Sequence, residues 1–423
     1  MTVKDVFEEW DTYSTKRKLL DREMPLENIL RASKTKLVSV TGIRRCGKSS
    51  LLMLIRQKLQ ASGEKAVYIN LEDTRLSDTK DILDEVLRWF GDEGTLLLDE
   101  VTAAPDYEGW LARNHELLKG RLNLIISSSR RGLTAPSKPL RGRIHNFELY
   151  PLSFKEYIDF KRIPVEKTTA GMGRLDGALL EYLKFGGYPE IVLAENETDK
   201  ITILGSYLRD IVGLDVAEVT GISLPTVKGF AEYVLQAPVF SASKATKHLS
   251  ALGHRIGKET ALTLEHYTES SYLIHYTHIY AHNIKDRSQY PRKAYPGDTG
   301  FIYALQGRVD YGRLYENLVL LELKRRHGSL AEISYWRGQN GAETDFVVKS
   351  GSSVQEVIQV TFDLSDKGTH RRELKGLAMC DSELKAEKAF IISSGPSRTE
   401  NFEGTSFEVV SLIDWLLGRD THI

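Results

Sequence analysis

The chain has 423 residues, enough for two to three domains of a typical size of about 150 residues. Hydrophobic residues make up 41% of it and charged residues 27%, a balance that excludes a disordered or collagen-like chain. Lys and Arg total 57 and Asp and Glu 58, which gives a formal net charge of −1. Any attraction to nucleic acid would therefore have to come from a local basic patch.

Cysteine content and hydropathy predict a cytoplasmic protein. The two cysteines, Cys46 and Cys380, are too few for a disulfide scaffold and fit a reducing compartment. The first twenty residues are too charged for a secretory signal. Apolar runs are strand-sized and fall short of the roughly 18 residues that span a bilayer. We therefore expect no membrane association.

Residues 36–152 alternate short apolar runs with amphipathic stretches, the pattern of a doubly wound parallel α/β sheet. The predicted strands are 36–40, 66–70, 95–98, 122–127 and 147–149. The predicted helices between them are 49–60, 79–90 and 108–118.

The β-rich rhythm stops after residue 152. Residues 153–223 read as mostly helical, with a break at the turn 186–189. The helices predicted next are 224–235, 243–252 and 258–270, followed by a strand over 272–281. The strands predicted after a further helix are 333–337, 343–349, 357–362 and 389–393. A flexible loop is expected over 393–401.

The most specific chemical signal is a glycine-rich loop between the first strand and the first helix. Residues 42–49 complete the pattern G-x-x-x-x-G-K-S/T. Glycines let backbone N–H groups surround phosphates, and the following helix directs its positive end at them. We expect Lys48 to neutralise the β- and γ-phosphates of ATP and Ser49 to bind Mg²⁺. The residues expected to contact the nucleotide are Gly42, Ile43, Arg44, Arg45, Cys46, Gly47, Lys48, Ser49 and Ser50.

Polar side chains follow the next strands of the predicted sheet. Strand 95–98 runs into Asp99 and Glu100, and we expect Asp99 to hold Mg²⁺ and Glu100 to take the proton of an attacking water. Ser127 and Ser128 are candidate sensors, because sequential strands are often neighbours and these hydroxyls could then orient the water. The alternative for the two serines is an ordinary loop role.

Two arginines, Arg141 and Arg143, precede the last strand of this part. Either is a candidate contact for the γ-phosphate of the same or a neighbouring subunit. The alternative is that both are ordinary surface arginines.

Seven segments of the chain resemble the prokaryotic AAA-type ATPases that carry a C-terminal domain of uncharacterised function. They are 41–49, 98–100, 140–143, 150–157, 186–190, 209–210 and 298–300. The resemblance covers nearly the whole chain. It implies a catalytic glutamate, and it favours Arg143 over Arg141 as an arginine finger, a role for which two subunits must meet.

The resemblance also implies an α/β fold class with four parts. A P-loop NTPase core of AAA type would occupy 1–152 and a helical, lid-like segment 153–223. A winged-helix module would occupy 224–298, and an α/β restriction-endonuclease-like domain 299–423.

Residues 224–298 are the candidate DNA reader. A glycine turn at 253–257 between two helices fits a helix-turn-helix, and the strand that follows fits a winged helix. From 240 to 293 there are eight Lys or Arg and four acids, a local balance of 8 − 4 = +4. The residues expected to contact DNA phosphates are Lys244, Lys247, Arg255 and Lys258, with Arg287 and Arg292 on the wing. The alternative is a winged helix that binds protein or assembles subunits.

The last part carries a degenerate nuclease motif. Restriction-type nucleases hold Mg²⁺ with an aspartate on one strand and an acid on the next, followed after one residue by a lysine. Asp345 and Gln359 stand at the two metal positions, Thr361 at the lysine position, and Glu316 on the preceding helix completes the resemblance. Threonine lacks the charge of lysine, which favours a non-catalytic scaffold over an active nuclease.

The leading hypothesis is thus a cytoplasmic ATPase that uses Mg²⁺ and ATP and couples the cycle to DNA. The first alternative is a nucleotide-dependent switch that binds protein with little turnover. The second is a residual metal-dependent nuclease. A homo-oligomer or a protein partner is left open.

Overall fold

The computed structural model describes residues 2–129, 138–281, 287, 290–338 and 341–419. The chain divides into two compact units. Unit 1 is Met1–Pro151 with Ser270–Tyr272, and unit 2 is Leu152–Glu269 with Leu273–Ile423. The first predicted boundary, after residue 152, lies next to the division between the units, whereas the three later predicted domains fall in unit 2 except for Ser270–Tyr272.

Unit 1 is built on a five-stranded parallel sheet. Its strands are β1 Leu37–Thr41, β2 Ala66–Asn70, β3 Gly94–Asp99, β4 Leu122–Ser128 and β5 Ile144–Glu148. Its helices are α1 Val3–Lys16, α2 Leu26–Ser33, α3 Lys48–Ala61, α4 Ile82–Phe90 and α5 Tyr107–Leu117. β1 is buried along its whole length, as expected for a parallel strand with both faces covered.

The strand order of this sheet is β2-β3-β4-β1-β5. β3 and β4 are neighbours, which confirms the expectation from their sequential order. All neighbouring pairs are parallel, so the carboxyl ends of β1, β3 and β4 share one edge of the sheet. Ligands of open parallel sheets bind at this edge.

Unit 2 begins with helices and ends with a mixed sheet. Its helices are α6 Phe154–Lys161, α7 Thr169–Phe185, α8 Pro189–Leu193, α9 Glu197–Asp210, α10 Glu218–Thr220, α11 Leu224–Gln236, α12 Ala242–Ala251, α13 Lys258–Ser270, α14 Gly300–Gln306, α15 Tyr311–His327, α16 Lys367–Leu384 and α17 Leu412–Leu416, with a π-helical stretch at Ile211–Ala217. Its strands are β6 Val239–Phe240, β7 Ile274–Thr277, β8 Arg292–Pro296, β9 Glu332–Arg337, β10 Glu343–Ser350, β11 Ser353–Val360, β12 Lys388–Ser393, β13 Arg398–Phe402 and β14 Thr405–Ser411.

These strands form two sheets. β6, β8 and β7 make a three-stranded antiparallel sheet, and the order of the six-stranded sheet is β13-β14-β12-β11-β10-β9. The expectation of a flexible loop over 393–401 is wrong for residues 398–401, because these residues belong to β13, which pairs with β14. β13 lies at the edge of the sheet and is largely polar, so it lacks the apolar alternation that marks an interior strand.

The segment 153–223 contributes to the core of unit 2. Phe154 on α6 and Leu179 on α7 belong to one buried hydrophobic cluster with Phe346 on β10 and Ile358 on β11. α6 and α7 therefore share a core with the six-stranded sheet, and the lid-like role of the segment stays a prediction. Among the described residues, no helix is long and apolar enough to cross a membrane.

Candidate nucleotide-binding site and acidic cluster

The loop between β1 and α3 has the backbone of an anion-binding turn. Gly47 has a φ of +106° and precedes the first turn of α3, a conformation that favours glycine. A Cβ on Gly42 would lie 2.0 Å from the carbonyl oxygen of Leu149. Glycine is thus required at both ends of the loop, which lets the chain bend tightly into the N-terminus of α3.

Lys48 lies inside this loop. Its side chain is 4% exposed, and its ammonium donates to the carbonyl oxygens of Gly42 at 3.1 Å and Ile43 at 3.3 Å. The ammonium Nζ is also 3.5 Å from Oε1 of Glu100. These contacts hold the positive charge at the carboxyl edge of the sheet.

Asp99, at the end of β3, is fully buried among hydroxyl groups. Its Oδ2 accepts a hydrogen bond of 2.6 Å from the Tyr68 hydroxyl, and its Oδ1 accepts one from the hydroxyl of Ser127. The Ser49 hydroxyl also bonds to this carboxylate. Burial, reinforced by the nearby charge of Glu100, raises the pKa of Asp99. The structure thus brings together Ser49 and Asp99, the two residues expected to bind Mg²⁺.

Glu100 has a left-handed backbone, with φ +49° and ψ +51°. Its N–H donates to Oγ of Ser127 at 2.9 Å, and its Oε2 accepts hydrogen bonds from the N–H and hydroxyl of Ser129 at 3.1 and 3.3 Å. A left-handed conformation in a residue other than glycine costs on the order of 1–3 kcal/mol and is concentrated at functional sites. The strain fixes the carboxylate beside Lys48.

The two candidate sensors lie at the end of β4. Ser127 bridges Asp99 and the backbone of Glu100, whereas Ser128 is buried one residue further on. Sequence reasoning did not single out Tyr68 or Ser129. Tyr68 occupies a buried position of an apolar strand and has the pattern of a core residue; only its pairing with β3 places its hydroxyl on Asp99.

Arg143 lies at the other end of the sheet from the phosphate loop. Its carbonyl accepts the N–H of Leu37 at the start of β1, four residue steps or about 13 Å from the loop-forming end of that strand. Its guanidinium donates to the carbonyl of Pro139 at 3.1 Å and lies 3.6 Å from Glu116. Contact between Arg143 and a γ-phosphate therefore needs a second copy of the chain. Arg141 is exposed nearby.

The four expected DNA contacts lie on α12, on the turn that follows and at the start of α13. All four side chains, those of Lys244, Lys247, Arg255 and Lys258, are exposed and make no ion pair with any residue that the structure describes. The two expected wing residues differ, since Arg287 is paired with Glu332 and Arg292 with Glu265. Lys285, counted in the basic balance, lies outside the described residues.

The predicted nuclease-like residues meet around a lysine. Lys293 on β8 places its Nζ 2.8 Å from Oε1 of Glu316, 2.8 Å from Oε1 of Glu343 and 2.8 Å from Oδ1 of Asp345. The Gln359 amide donates to the other oxygen of Asp345 at 2.7 Å. The acidic cluster, as we name these residues together with Tyr295 and Glu373, is thus formed by β8, α15, β10, β11 and α16.

Sequence reasoning missed four members of this cluster, Lys293, Tyr295, Glu343 and Glu373. It looked for a lysine two positions after Gln359, where Thr361 instead donates to the carbonyl of Asp363. The lysine comes from β8, and Tyr295 on the same strand donates to Glu316. Glu373 accepts from the Gln359 amide at 2.6 Å.

Residues 34–158 match the family model of an AAA domain. The match spans the phosphate loop, Asp99, Glu100 and the whole five-stranded sheet. Unit 1 thus contains the segment that matches an AAA domain. Residues 176–311 and 311–413 match two domains of unknown function, DUF8612 and DUF4143.

Two similar proteins cover most of this chain. The uncharacterized protein MJ1544 of Methanocaldococcus jannaschii is 29% identical over 396 residues, 88% of this chain and 88% of its own. An uncharacterized protein of Haemophilus influenzae is 27% identical over 422 residues, 94% of this chain and 99% of its own.

Solved structures show only distant likeness. AMPPCP-bound DnaA from Aquifex aeolicus is 16% identical, covers 61% of this chain and 91% of its own, and has a TM-score of 0.28. PCH-2 of C. elegans is 13% identical, covers 58% and 66%, and also has a TM-score of 0.28. Scores this low carry no conclusion about this chain.

Proposed function

We propose that this protein is a Mg²⁺-dependent ATPase whose AAA domain binds and hydrolyses ATP and whose C-terminal half binds DNA. One observation carries the ATPase assignment: Ser49, Asp99, Lys48 and Glu100 converge at the carboxyl edge of one parallel sheet. Two oxygen ligands, a positive charge and a proton acceptor are the groups that phosphoryl transfer to water requires.

Each residue has a distinct role in this mechanism. A hydroxyl and a carboxylate are hard oxygen ligands of the kind that Mg²⁺ prefers, so Ser49 and Asp99 would hold the ion. The ion would supply positive charge to the phosphate oxygens. Lys48 adds a second positive charge within the loop, and Glu100 accepts the proton of the attacking water while Ser129 holds its other oxygen.

The DNA assignment rests on fold order and charge. α11, β6, α12, α13, β7 and β8 follow one another as in a winged helix, and the exposed basic side chains lie on α12, the turn and the start of α13. Exposed lysines and arginines of this kind bind phosphates.

The first experiment measures ATP turnover by the full chain, with and without duplex DNA, in wild type and Glu100→Gln. We expect turnover to rise with DNA in wild type and to fall by about 10²- to 10⁴-fold in the variant, because the general base is lost. ATP binding should persist, since Lys48 and the loop are intact. The exposed Glu64→Gln is the matched control. Equal turnover in Glu100→Gln and wild type would refute the mechanism.

The DNA interaction has its own test. Replacing Lys244, Lys247 and Lys258 together with glutamine should weaken duplex binding at every sequence and lower the slope of log K against log salt by about 2 to 3. The control replaces the exposed Lys34, Lys80 and Lys119 in the same way. Affinity that is unchanged in the first variant, or insensitive to salt in wild type, would remove DNA from the proposal.

A second candidate is a nucleotide-dependent switch that binds protein with little turnover. Leu252 is 53% exposed and Leu262 is 46% exposed, both close to the basic residues of this module. Exposed apolar side chains mark a protein-contact surface when they form a contiguous patch, and this candidate requires that Leu252 and Leu262 belong to one. This candidate predicts that Glu100→Gln changes little and that Leu252→Ser and Leu262→Ser weaken partner binding without altering DNA affinity.

A third candidate is a residual metal-dependent nuclease in the acidic cluster, supported by the meeting of Glu316, Asp345 and Gln359. It predicts cleavage of duplex DNA with Mg²⁺ or Mn²⁺ that Asp345→Ala abolishes. The contacts of Lys293 with Glu316, Glu343 and Asp345 weigh against this candidate.

A further inference from the structure

The ammonium of Lys293 is held by carboxylates. Nζ has three carboxylate oxygens at 2.8 Å, one each from Glu316, Glu343 and Asp345. It donates hydrogen bonds to Glu316 and Asp345, which uses two of the three N–H donors of an ammonium group, and its side chain is only 11% exposed. The ammonium is thus engaged by the acids that would bind a metal ion in a nuclease, which weighs against Lys293 as the lysine of such a site.

The carboxylates are spaced for an ammonium and not for a metal. Oxygen ligands lie about 2.0–2.1 Å from Mg²⁺ and about 2.3–2.6 Å from Ca²⁺, both shorter than the 2.8 Å to Nζ. Across the part of the chain that the structure describes, no group of three His, Cys, Asp or Glu side chains is arranged to hold a metal ion. The Lys293 ammonium lies between these acids, at the position that a metal ion bound by all of them would take.

The other side of the cluster carries an unused acceptor. Gln359 is 5% exposed, and its amide nitrogen donates to both Asp345 and Glu373. Its carbonyl oxygen, on the same amide group, is buried and accepts no hydrogen bond from any described residue. A buried carbonyl without a donor is unfavourable, and amide carbonyls are ligands of hard cations.

The charges of the cluster point the same way. Four acids, Glu316, Glu343, Asp345 and Glu373, face two cations, Lys293 and Arg372, of which Arg372 is paired with Glu373. Among the described residues, Lys293 is the cation in ion-pair contact with the other three acids. Removing it would leave the buried Asp345, the partly buried Glu316 and the exposed Glu343 without a cation, next to a glutamine whose carbonyl oxygen has no described donor.

We propose that Lys293 is a resident cation that takes the place of a metal ion in the acidic cluster, and that its removal uncovers a site for a hard divalent cation formed by Glu316, Asp345 and the Gln359 carbonyl. The proposal is independent of the ATPase assignment, because all these residues lie in unit 2. The proposal also explains why a threonine, Thr361, can stand where a lysine was expected, since Lys293 on β8 supplies the positive charge.

The test measures Mn²⁺ binding to nucleotide-free full-length protein through the loss of the free-ion electron paramagnetic resonance signal. Lys293→Met should bind about one Mn²⁺ per chain more than wild type, and the double variant Lys293→Met with Asp345→Asn should lose this gain. Lys167→Met, an exposed lysine outside the cluster and outside the proposed DNA contacts, should behave as wild type. A folded Lys293→Met chain without extra Mn²⁺ would overturn the proposal, as would Mn²⁺ binding in wild type that Asp345→Asn abolishes.

The loss of the Lys293 ammonium leaves these acids unpaired and favours unfolding of the Lys293→Met chain, so a second measurement uses wild type alone. Brief acetylation with an amine-reactive ester, mapped by mass spectrometry, should modify Lys244 and Lys247 and spare Lys293 both with and without millimolar Mn²⁺. Acetylation of Lys293 that appears on adding Mn²⁺ would show that a metal displaces the lysine, and would overturn its role as resident cation.

Discussion

At the residue scale, Asp99 is a carboxylic acid whose ionised form is disfavoured in the folded protein. Burial and the neighbouring Glu100 raise its pKa in the folded state, while the unfolded chain keeps a value near 3.8. The neutral acid therefore contributes stability at a pH below the pKa that Asp99 has in the unfolded chain. This contribution is lost as the pH rises through the pKa that Asp99 has in the folded protein. At neutral pH the ionised carboxylate costs stability, and this ionised form is the one that the proposed Mg²⁺ site requires.

Asp99→Asn should consequently give a nucleotide-free protein that is more stable than wild type at pH 8, with a smaller difference at pH 5. Turnover of ATP should fall by on the order of 100-fold or more, because the metal ligand is lost. Urea unfolding at the two pH values checks the first result and a phosphate-release assay the second. A variant less stable than wild type at pH 8 would contradict this account of Asp99.

At the scale of elements, Asp298 ties two parts of unit 2 together. It is 2% exposed, and its carboxylate accepts the N–H of Gly187, in the turn between α7 and α8, at 2.8 Å and that of Gly300, the first residue of α14, at 2.9 Å. Burial raises its pKa from 3.8 to about 6 in spite of these two donors. The ionised form is therefore disfavoured in the folded protein.

The direction of the Asp298 pKa shift predicts how the stability of the folded protein depends on pH. The contribution of Asp298 to stability is full below pH 3.8 and is lost as the pH rises through about 6, a loss of about 3 kcal/mol between those limits. Asp298→Asn lacks this dependence, although losing one acceptor adds a constant cost. Urea unfolding at pH 4.5 and 7.5, with the exposed Asp78→Asn as control, measures the difference. Parallel pH profiles for wild type and Asp298→Asn would contradict the prediction.

At the scale of the whole molecule, the position of Arg143 makes its proposed role depend on assembly. It lies at the start of β5, across the sheet from its own phosphate loop, so only a second copy could present its loop to this guanidinium. In such an assembly one subunit supplies Glu100 and its neighbour supplies Arg143.

Mixing two inactive variants tests this directly. Glu100→Gln and Arg143→Ala should each lack turnover, and an equal mixture should regain about a quarter of the wild-type rate if subunits exchange freely. Arg141→Ala, two residues away and exposed, should retain activity. Full activity of Arg143→Ala, or no recovery on mixing, would remove Arg143 from the mechanism.

Local patterns were sufficient for much of this protein. The loop 42–49, the carboxylates after β3 and the helices from α11 to α13 could be predicted because each depends on residues that are close in sequence. Hydrophobic periodicity and glycine placement act within a few residues. The edge strand β13 was missed for the same reason, since its pairing with β14 gives it no apolar pattern of its own.

Only the tertiary structure decided which side chains complete the sites. The Tyr68 hydroxyl reaches Asp99 across 31 positions of sequence, and Lys293 reaches Asp345 across 52. Neither residue is marked by its neighbours, because a tyrosine in an apolar strand and a lysine in a short one are both ordinary. The sequence by itself determined the phosphate loop and its acids; strand pairing and burial decided what surrounds them, since hydrogen bonds and charge pairs form between neighbours in space.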